Sequence, residues 1–391
     1  MTDVGPMRVA HLDHTSAPGG AQFALTRMLA AGVEWQPLLL VPPGAQNGAF
    51  SPLFGRVPIR VGGLAQPPGV SSGSWGSLFA TAGRLAVQTV ATRIDPGFRT
   101  ADLIDANTAR SAAYGALAAL SSRTPLVIHL RDFVDVESLG RFGFAMMSRV
   151  ALRRADGVVA NSRATLASAM PFLRADAVTA VIPSASGLRP DESPRRADES
   201  GRPLRIGMLA RIDPWKGQLL LLESFADAFP DGDERLELAG GAPFGHEAFE
   251  DELRIRAAEL GVEDRVEFLG HVEDVAPVLR RWDVAVQASL RPEPLGQNVL
   301  QYLAAGVPSI VADEGGPAEW IDDGVNGIRV APRDTRALSA ALRRLAEDAG
   351  LRARIAAAAS ATIGLLTDDE VMRAHADFYR AVLGRHLHAT S

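Results

Sequence analysis

Two cations, Arg211 and Lys216, stand five residues apart in the turn Arg211-Ile212-Asp213-Pro214-Trp215-Lys216-Gly217, which follows the apolar run 204–209 and opens a helical pattern. Backbone N–H groups and the positive end of a helix favour anions at such a junction. The pair suits a diphosphate there. Basic residues on loops are common, but composition argues against chance: the chain has 40 Lys and Arg residues, and Lys216 is its single lysine. A compact ammonium sits between phosphate oxygens as a point charge, where a planar guanidinium fits less easily.

A second junction is Pro292-Glu293-Pro294-Leu295-Gly296-Gln297-Asn298-Val299-Leu300-Gln301, which runs from loop into a helix expected to end near Gly306. Gly296 permits a tight approach, and the amides of Gln297 and Asn298 fall at the helix N-terminus. Glu293 comes too early to cap that helix. A carboxylate beside a phosphate site is electrostatically unfavourable unless it contacts hydroxyls of the same ligand, so the combination points to a sugar phosphate. A third junction, Ala17-Pro18-Gly19-Gly20-Ala21, reads by itself as a turn.

Among the eight histidines, His129 ends an apolar run and is followed by Arg131 and Asp132, which singles it out. His11 and His14 flank the end of the first strand and are weaker candidates for contact with a second substrate. Asp231-Gly232-Asp233 has a D-x-D form, but it lies in a polar stretch and reads as a solvated turn. Glu319 is expected to begin a helix containing Trp320. No cluster with metal-ligand spacing stands out.

Several chemistries are absent. There is no G-x-x-x-x-G-K-[ST] loop, no G-x-G-x-x-G after the first strand, no H-E-x-x-H and no G-x-S-x-G. The chain has no cysteine, which excludes disulfides, thiolate metal sites and a cysteine nucleophile. A net charge of −6 gives no general pull towards nucleic acid. Nothing at the start reads as a signal peptide, and no long apolar run reads as a membrane span, so the expectation is a cytoplasmic protein. Residues 141–154 mix apolar side chains with Arg149, Arg153 and Arg154. That pattern fits a peripheral contact with an anionic membrane or an ordinary core-facing helix, and the second is expected.

The elements that must position these residues alternate. Apolar runs at 7–12, 37–41, 101–106, 126–130, 157–160 and 177–182 read as strands, with helical patterns such as 21–31 between them. The Pro/Gly/Ser-rich stretch 42–76 is expected to carry recognition loops. A second series runs through strands 204–209, 236–239, 266–269, 284–287 and 309–311, with helices at 219–225 and 248–260. The fold class is therefore α/β, with two Rossmann-like domains whose ligands meet at the carboxyl ends of the strands. Expected boundaries are 1–185, a linker at 186–203, a second domain at 204–365 and a helical tail at 366–391 that could cross back to the first domain.

Together these motifs resemble the family 4 glycosyltransferases of GT-B fold, with two domains facing across a cleft and a hallmark Glu, seven residues, then a second Glu. The resemblance is carried by Pro18 to Gln22, Val158 to Ser162, Arg211 to Gly217, Phe268 to Gly270, Glu293 to Pro308 and Gly315 to Glu319. It implies a retaining enzyme that takes a sugar from a nucleotide diphosphate donor, as co-substrate, to a small-molecule or glycan acceptor, with no cofactor and no metal.

The resemblance also implies roles. Arg211 and Lys216 would bind the diphosphate and stabilise the leaving group. Leu295, Gly296, Gln297 and Asn298, with Gly19 and Gly20 of the first domain, would cradle phosphate. Glu293 would hold the donor sugar's hydroxyls, Gly270-His271-Val272 would meet the base, and His129 would face the transferred sugar. The family's second Glu is Gln301 here, so the ribose contact would lose its charge. Pro183-Ser184-Ala185 replaces the usual Pro-Asn-Gly. A sugar-nucleotide epimerase, a phosphorylase or a non-catalytic sugar-nucleotide-binding subunit are the alternative readings.

Overall fold

The computed structural model describes residues 6–44, 48–65, 75–188, 201–242 and 245–390. The chain divides into two compact units, Met1–Ala185 with Leu366–Ser391, and Ser186–Leu365.

The first unit is built on a seven-stranded parallel sheet in the order β3-β2-β1-β4-β5-β6-β7. Its strands are β1 (Arg8–Leu12), β2 (Gln36–Val41), β3 (Ile59–Val61), β4 (Leu103–Ala106), β5 (Leu126–Leu130), β6 (Gly157–Ala160) and β7 (Val178–Val181). Every residue of β4, β5 and β6 is buried. That is why they are continuous apolar runs and do not alternate: helices cover both faces of a parallel sheet. The C-terminal helix Asp368–Thr390 belongs to this unit and sends Val371, Met372, Phe378, Tyr379 and Val382 into the core formed by Val9, Leu39, Val127 and Val159. A Cβ on Gly157 would lie 2.6 Å from Val382 and 3.1 Å from Phe378, so glycine there lets the helix lie close.

The second unit repeats the plan with six parallel strands in the order β10-β9-β8-β11-β12-β13. These are β8 (Arg205–Leu209), β9 (Arg235–Ala239), β10 (Val266–Gly270), β11 (Val284–Gln287), β12 (Ser309–Ala312) and β13 (Ile328–Val330). In both orders the chain reverses direction beside its first strand, which is where ligands bind in open α/β sheets.

Most expected strands shift by one or two residues. β3, β13 and the helices Trp75–Ile94, Pro96–Thr100 and Ala276–Arg281 went unread. The two strands are three residues long, too short for any periodicity to register. The stretch 42–76 is accordingly not loop throughout; its residues 45–47 and 66–74 lie outside the described residues. Of the linker expected at 186–203, residues 189–200 also lie outside them. The stretch 141–154 packs as a core-facing element, with Met147, Ala151 and Leu152 buried in the same cluster as Leu126 and Val158. No helix among the described residues is long and apolar enough to cross a membrane.

Candidate active site

In the second unit, the turn after β8 is short and rigid. Asp213 caps the 3-10 turn Pro214–Lys216 by accepting from the Trp215 amide at 3.4 Å, and its Oδ2 pairs with Arg211 at 3.1 Å. Gly217 then takes φ 83° and starts the helix Gln218–Ala228. A Cβ on Gly217 would fall 1.9 Å from the Ala288 carbonyl oxygen, so glycine is required both by the left-handed backbone and by this approach. Through that contact the Lys216 turn lies against the segment that leads to Glu293.

Lys216 Nζ stands 2.9 Å from Glu293 Oε1. The same oxygen accepts from the Ser289 hydroxyl and from Gln287 Nε2 at 3.1 Å. Glu293 is buried, and burial pushes its carboxyl pKa up; the Lys216 charge and the hydrogen bonds from Ser289, Lys216 and Gln287 outweigh this and hold it below the usual range. Glu293 Oε2 accepts a hydrogen bond from none of the described residues. Arg211 is exposed over much of its side chain.

Helix Gln297–Ala304 brings its N-terminus to the same end of the sheet. Gly296 precedes it at φ 74° and would strike Pro317 if it carried a Cβ. Asn298 is the anchor: its Nδ2 donates to the Leu209 carbonyl at 3.1 Å, while the Tyr302 hydroxyl accepts from the Leu209 amide at 2.8 Å and donates to the Val286 carbonyl at 3.2 Å. The first turn of the helix is thereby tied to the carboxyl ends of β8 and β11. Gln297 and Gln301 lie one turn apart on its half-exposed face. Leu295 is buried.

Gly315 and Gly316 pack on the backbone of the Glu293 segment: Cβ atoms there would sit 2.6 Å from the Glu293 oxygen and 2.4 Å from that of Pro294. Glu319 is the penultimate residue of the helix Gly315–Trp320, so the expectation that it begins a helix is corrected; the helix starts at the glycine pair because Gly315 can take φ 67°. Gly270, at φ 64°, ends β10, and its carbonyl accepts from Gly240 at 2.8 Å, leaving His271 exposed and Val272 half-buried beyond it. Asp231-Gly232-Asp233 lies outside regular structure just before β9. No group of three or more His, Asp or Glu among the described residues could hold a metal ion.

The first unit carries a separate polar cluster. His129 lies at the end of β5 and is 3% exposed. Its Nδ1 accepts from Arg131 Nη2 at 3.3 Å, which leaves the ring proton on Nε2, 2.9 Å from Asp105 Oδ1. The other oxygen of Asp105 accepts from His11 Nδ1 at 2.7 Å, and His11 Nε2 accepts from Trp35 Nε1 at 3.0 Å. Both imidazoles are therefore neutral with defined tautomers. Burial lowers the His129 pKa against the pull of Asp105. His375, from the C-terminal helix, stacks on His129 with ring centroids 4.9 Å apart.

Arg131 in turn holds Asn107 Oδ1 at 2.7 Å, and Asn107 Nδ2 donates to Asp13 at 2.6 Å. Asp13 also accepts from Gln22 at 3.0 Å, and burial pushes its pKa up to about 6. His14 donates or accepts at Thr108 Oγ1, 2.8 Å away, and burial pushes its pKa down to about 3. Gly19 precedes the helix Gly20–Ala30, and a Cβ on Gly20 would meet no atom within 4 Å.

Sequence reasoning named Lys216, Glu293, Asn298 and His129 but missed the groups that fix them: Gln287, Ser289, Tyr302 and Asp105. Signals existed. Gln287 and Asp105 are polar residues inside otherwise apolar strands, and a buried polar group needs a partner.

Residues 191–362 match the model of the family described as glycosyl transferases group 1. The chain is 37% identical over 106 residues to the lipopolysaccharide core biosynthesis glycosyltransferase LpsE of Rhizobium meliloti (strain 1021), covering 27% of this chain and 31% of LpsE. It is 30% identical over 223 residues to the mannosyltransferase LpsB of the same strain, covering 54% of this chain and 61% of LpsB. The chain thus spans less than two thirds of the length of these curated relatives. Among solved structures, that of Anabaena Alr3699/HepE in complex with UDP has a TM-score of 0.79 at 28% identity, over 96% of this chain and 100% of that one. The paired Rossmann-like units are those of the GT-B fold.

Proposed function

With residues 191–362 matching the model of the group 1 glycosyl transferases, we propose that this protein moves a sugar from a nucleotide diphosphate donor to an acceptor, with retention at the anomeric carbon and no metal ion. The observation that carries the reading is the division of labour on Glu293. Its Oε1 is taken by Lys216, Ser289 and Gln287, and its Oε2 is left for another donor. Hydroxyls of a sugar are such donors. An ammonium has three N–H bonds, so Lys216 can keep Glu293 and still reach a phosphate oxygen.

In this reading the diphosphate lies against Arg211, Lys216 and the N-terminus of helix Gln297–Ala304. As the bond from the anomeric carbon to the phosphate oxygen breaks, negative charge grows on that oxygen, and preset cations and helix amides stabilise it. The departing phosphate takes the acceptor's hydroxyl proton, and the acceptor oxygen forms the new bond on the face just vacated. His129 remains assigned to the sugar's surroundings, as a neutral group that orients Arg131 through its Nδ1. Gly270-His271-Val272 is assigned to the base, and Gln301 to the ribose. Structures of Anabaena HepE in complex with UDP and with UDP-glucose support a uridine nucleotide as the first donor to try.

A panel of uridine, guanosine and adenosine diphosphate sugars, scored by the rise in melting temperature, identifies the donor, because a ligand that binds the native state stabilises it. Proton NMR of the first-formed product then reads the anomeric configuration. An inverted product would sink the retaining mechanism and require a dedicated base.

A further inference from the structure

Beyond the two cations already assigned, the region holds an aromatic ring on which three cations converge. Lys216 Nζ lies 4.0 Å from the centroid of Trp215, Arg291 Cζ 4.2 Å and Arg211 Cζ 5.9 Å. The ring is held from both sides in sequence: the Trp215 amide is capped by Asp213, and its carbonyl accepts from the Leu290 amide at 2.7 Å. Trp215 is thus the bridge between the Lys216 turn and the Arg291–Glu293 segment. It is half-buried, and nothing in its placement calls for an indole as core filling.

An indole face attracts cations, and tryptophan does so best of the aromatic residues. Two cations brought near one another repel, and long side chains lose rotamer freedom when fixed. A common platform offsets both costs before any ligand arrives. We propose that Trp215 is the positioning residue of this site: its ring presets Lys216 and Arg291 so that a nucleoside diphosphate meets both cations already in place. The inference rests on the reading under Proposed function and adds Arg291 to the diphosphate-binding set. Trp215 acts through the cations and is not itself a catalytic residue.

The test is calorimetric titration of UDP, GDP and ADP into the wild-type protein and into W215M, W215F and R291Q, with donor kinetics and melting temperatures alongside. W215M keeps bulk without a π face and is expected to weaken the cognate diphosphate about tenfold. It should raise donor KM and lower kcat as well, because the preset cations also meet the charge that grows as the donor bond breaks. W215F restores the ring and should recover most of the loss. R291Q should weaken binding too, and W215M/R291Q should cost less than the two single effects combined.

If W215M binds like wild type, or W215F is no better than W215M, the inference falls. Should W215M fail to fold, R291Q still decides: unchanged diphosphate affinity in R291Q overturns it. Wild-type protein that binds none of the three nucleotides would instead remove the underlying reading, and this inference with it.

Discussion

Lys216 Nζ and Glu293 Oε1 are 2.9 Å apart, although 77 residues separate them in the chain. The pair joins the cation assigned to phosphate with the carboxylate assigned to sugar. It forms because Gly217 lets the turn after β8 press on the Ala288 carbonyl, and because Gly315 and Gly316 press the Glu293 segment from the other side. One consequence is that neither residue can be changed without disturbing the other: removing Lys216 leaves a buried carboxylate whose largest stabilising charge is gone.

Lys216→Ala is expected to lose about 3 kcal/mol or more of transition-state stabilisation, the scale of removing one such electrostatic group. Lys216→Arg should not restore the full rate, since a guanidinium differs in shape and reach. Comparing kcat/KM for the two variants measures this. A fully active Lys216→Ala enzyme would reduce the lysine to a structural partner of Glu293.

Turnover is expected to survive exhaustive chelation, with Arg211 and Lys216 supplying the countercharge that a divalent ion supplies elsewhere. The assay is rate before and after treatment with a strong chelator. Loss of activity that magnesium or manganese restores would show that the site has been assigned wrongly.

Gln301→Glu is expected to tighten nucleoside diphosphate binding several-fold while leaving the chemical rate nearly unchanged. Gln301 sits on the half-exposed face of its helix, one turn after Gln297. A carboxylate accepting from two ribose hydroxyls makes charge-assisted bonds, worth about 1 kcal/mol more than those of an amide. Titration of both forms with the same nucleotide decides it. Weaker binding by the Glu variant would mean that the amide donates to something, and the ribose role would move elsewhere.

Stability is expected to fall as the pH drops below neutrality. Burial holds His375 and His14 at pKa values of about 3, and lowers His129 as well, so the folded protein keeps them neutral. Unfolded histidines protonate near pH 6.5, so between there and about 3 the unfolded state binds more protons and gains on the folded one. Asp13 works in the opposite sense, since its folded pKa of about 6 exceeds the unfolded value of 3.8. The histidines outnumber it. His375 faces His129, Asp105 and Arg131, and its Nε2 has no hydrogen-bond partner among the described residues. His375→Phe should therefore flatten the pH slope by up to about 1.4 kcal/mol per pH unit. Melting curves at pH 7.5, 6 and 5 for both proteins measure it; identical slopes would rule out His375 as a source.

The amino-acid sequence by itself determined the two Rossmann-like series, because buried parallel strands must be apolar throughout and so announce themselves, as 126–130, 157–160 and 284–287 do. It also marked Arg211, Lys216 and Glu293, since their residue types at strand-to-helix junctions already carry a chemistry. Tertiary structure decided what those groups touch. Nothing in the local pattern says that Lys216 pairs with Glu293, that Trp215 gathers three cations, or that His129 is enclosed between Asp105, Arg131 and His375. The contacts of Lys216 with Glu293, of Trp215 with Arg291, and of His129 with Asp105 and His375 each join residues from separate elements. Periodicity reports only which face of an element is buried, whereas a hydrogen bond depends on where two separate elements arrive.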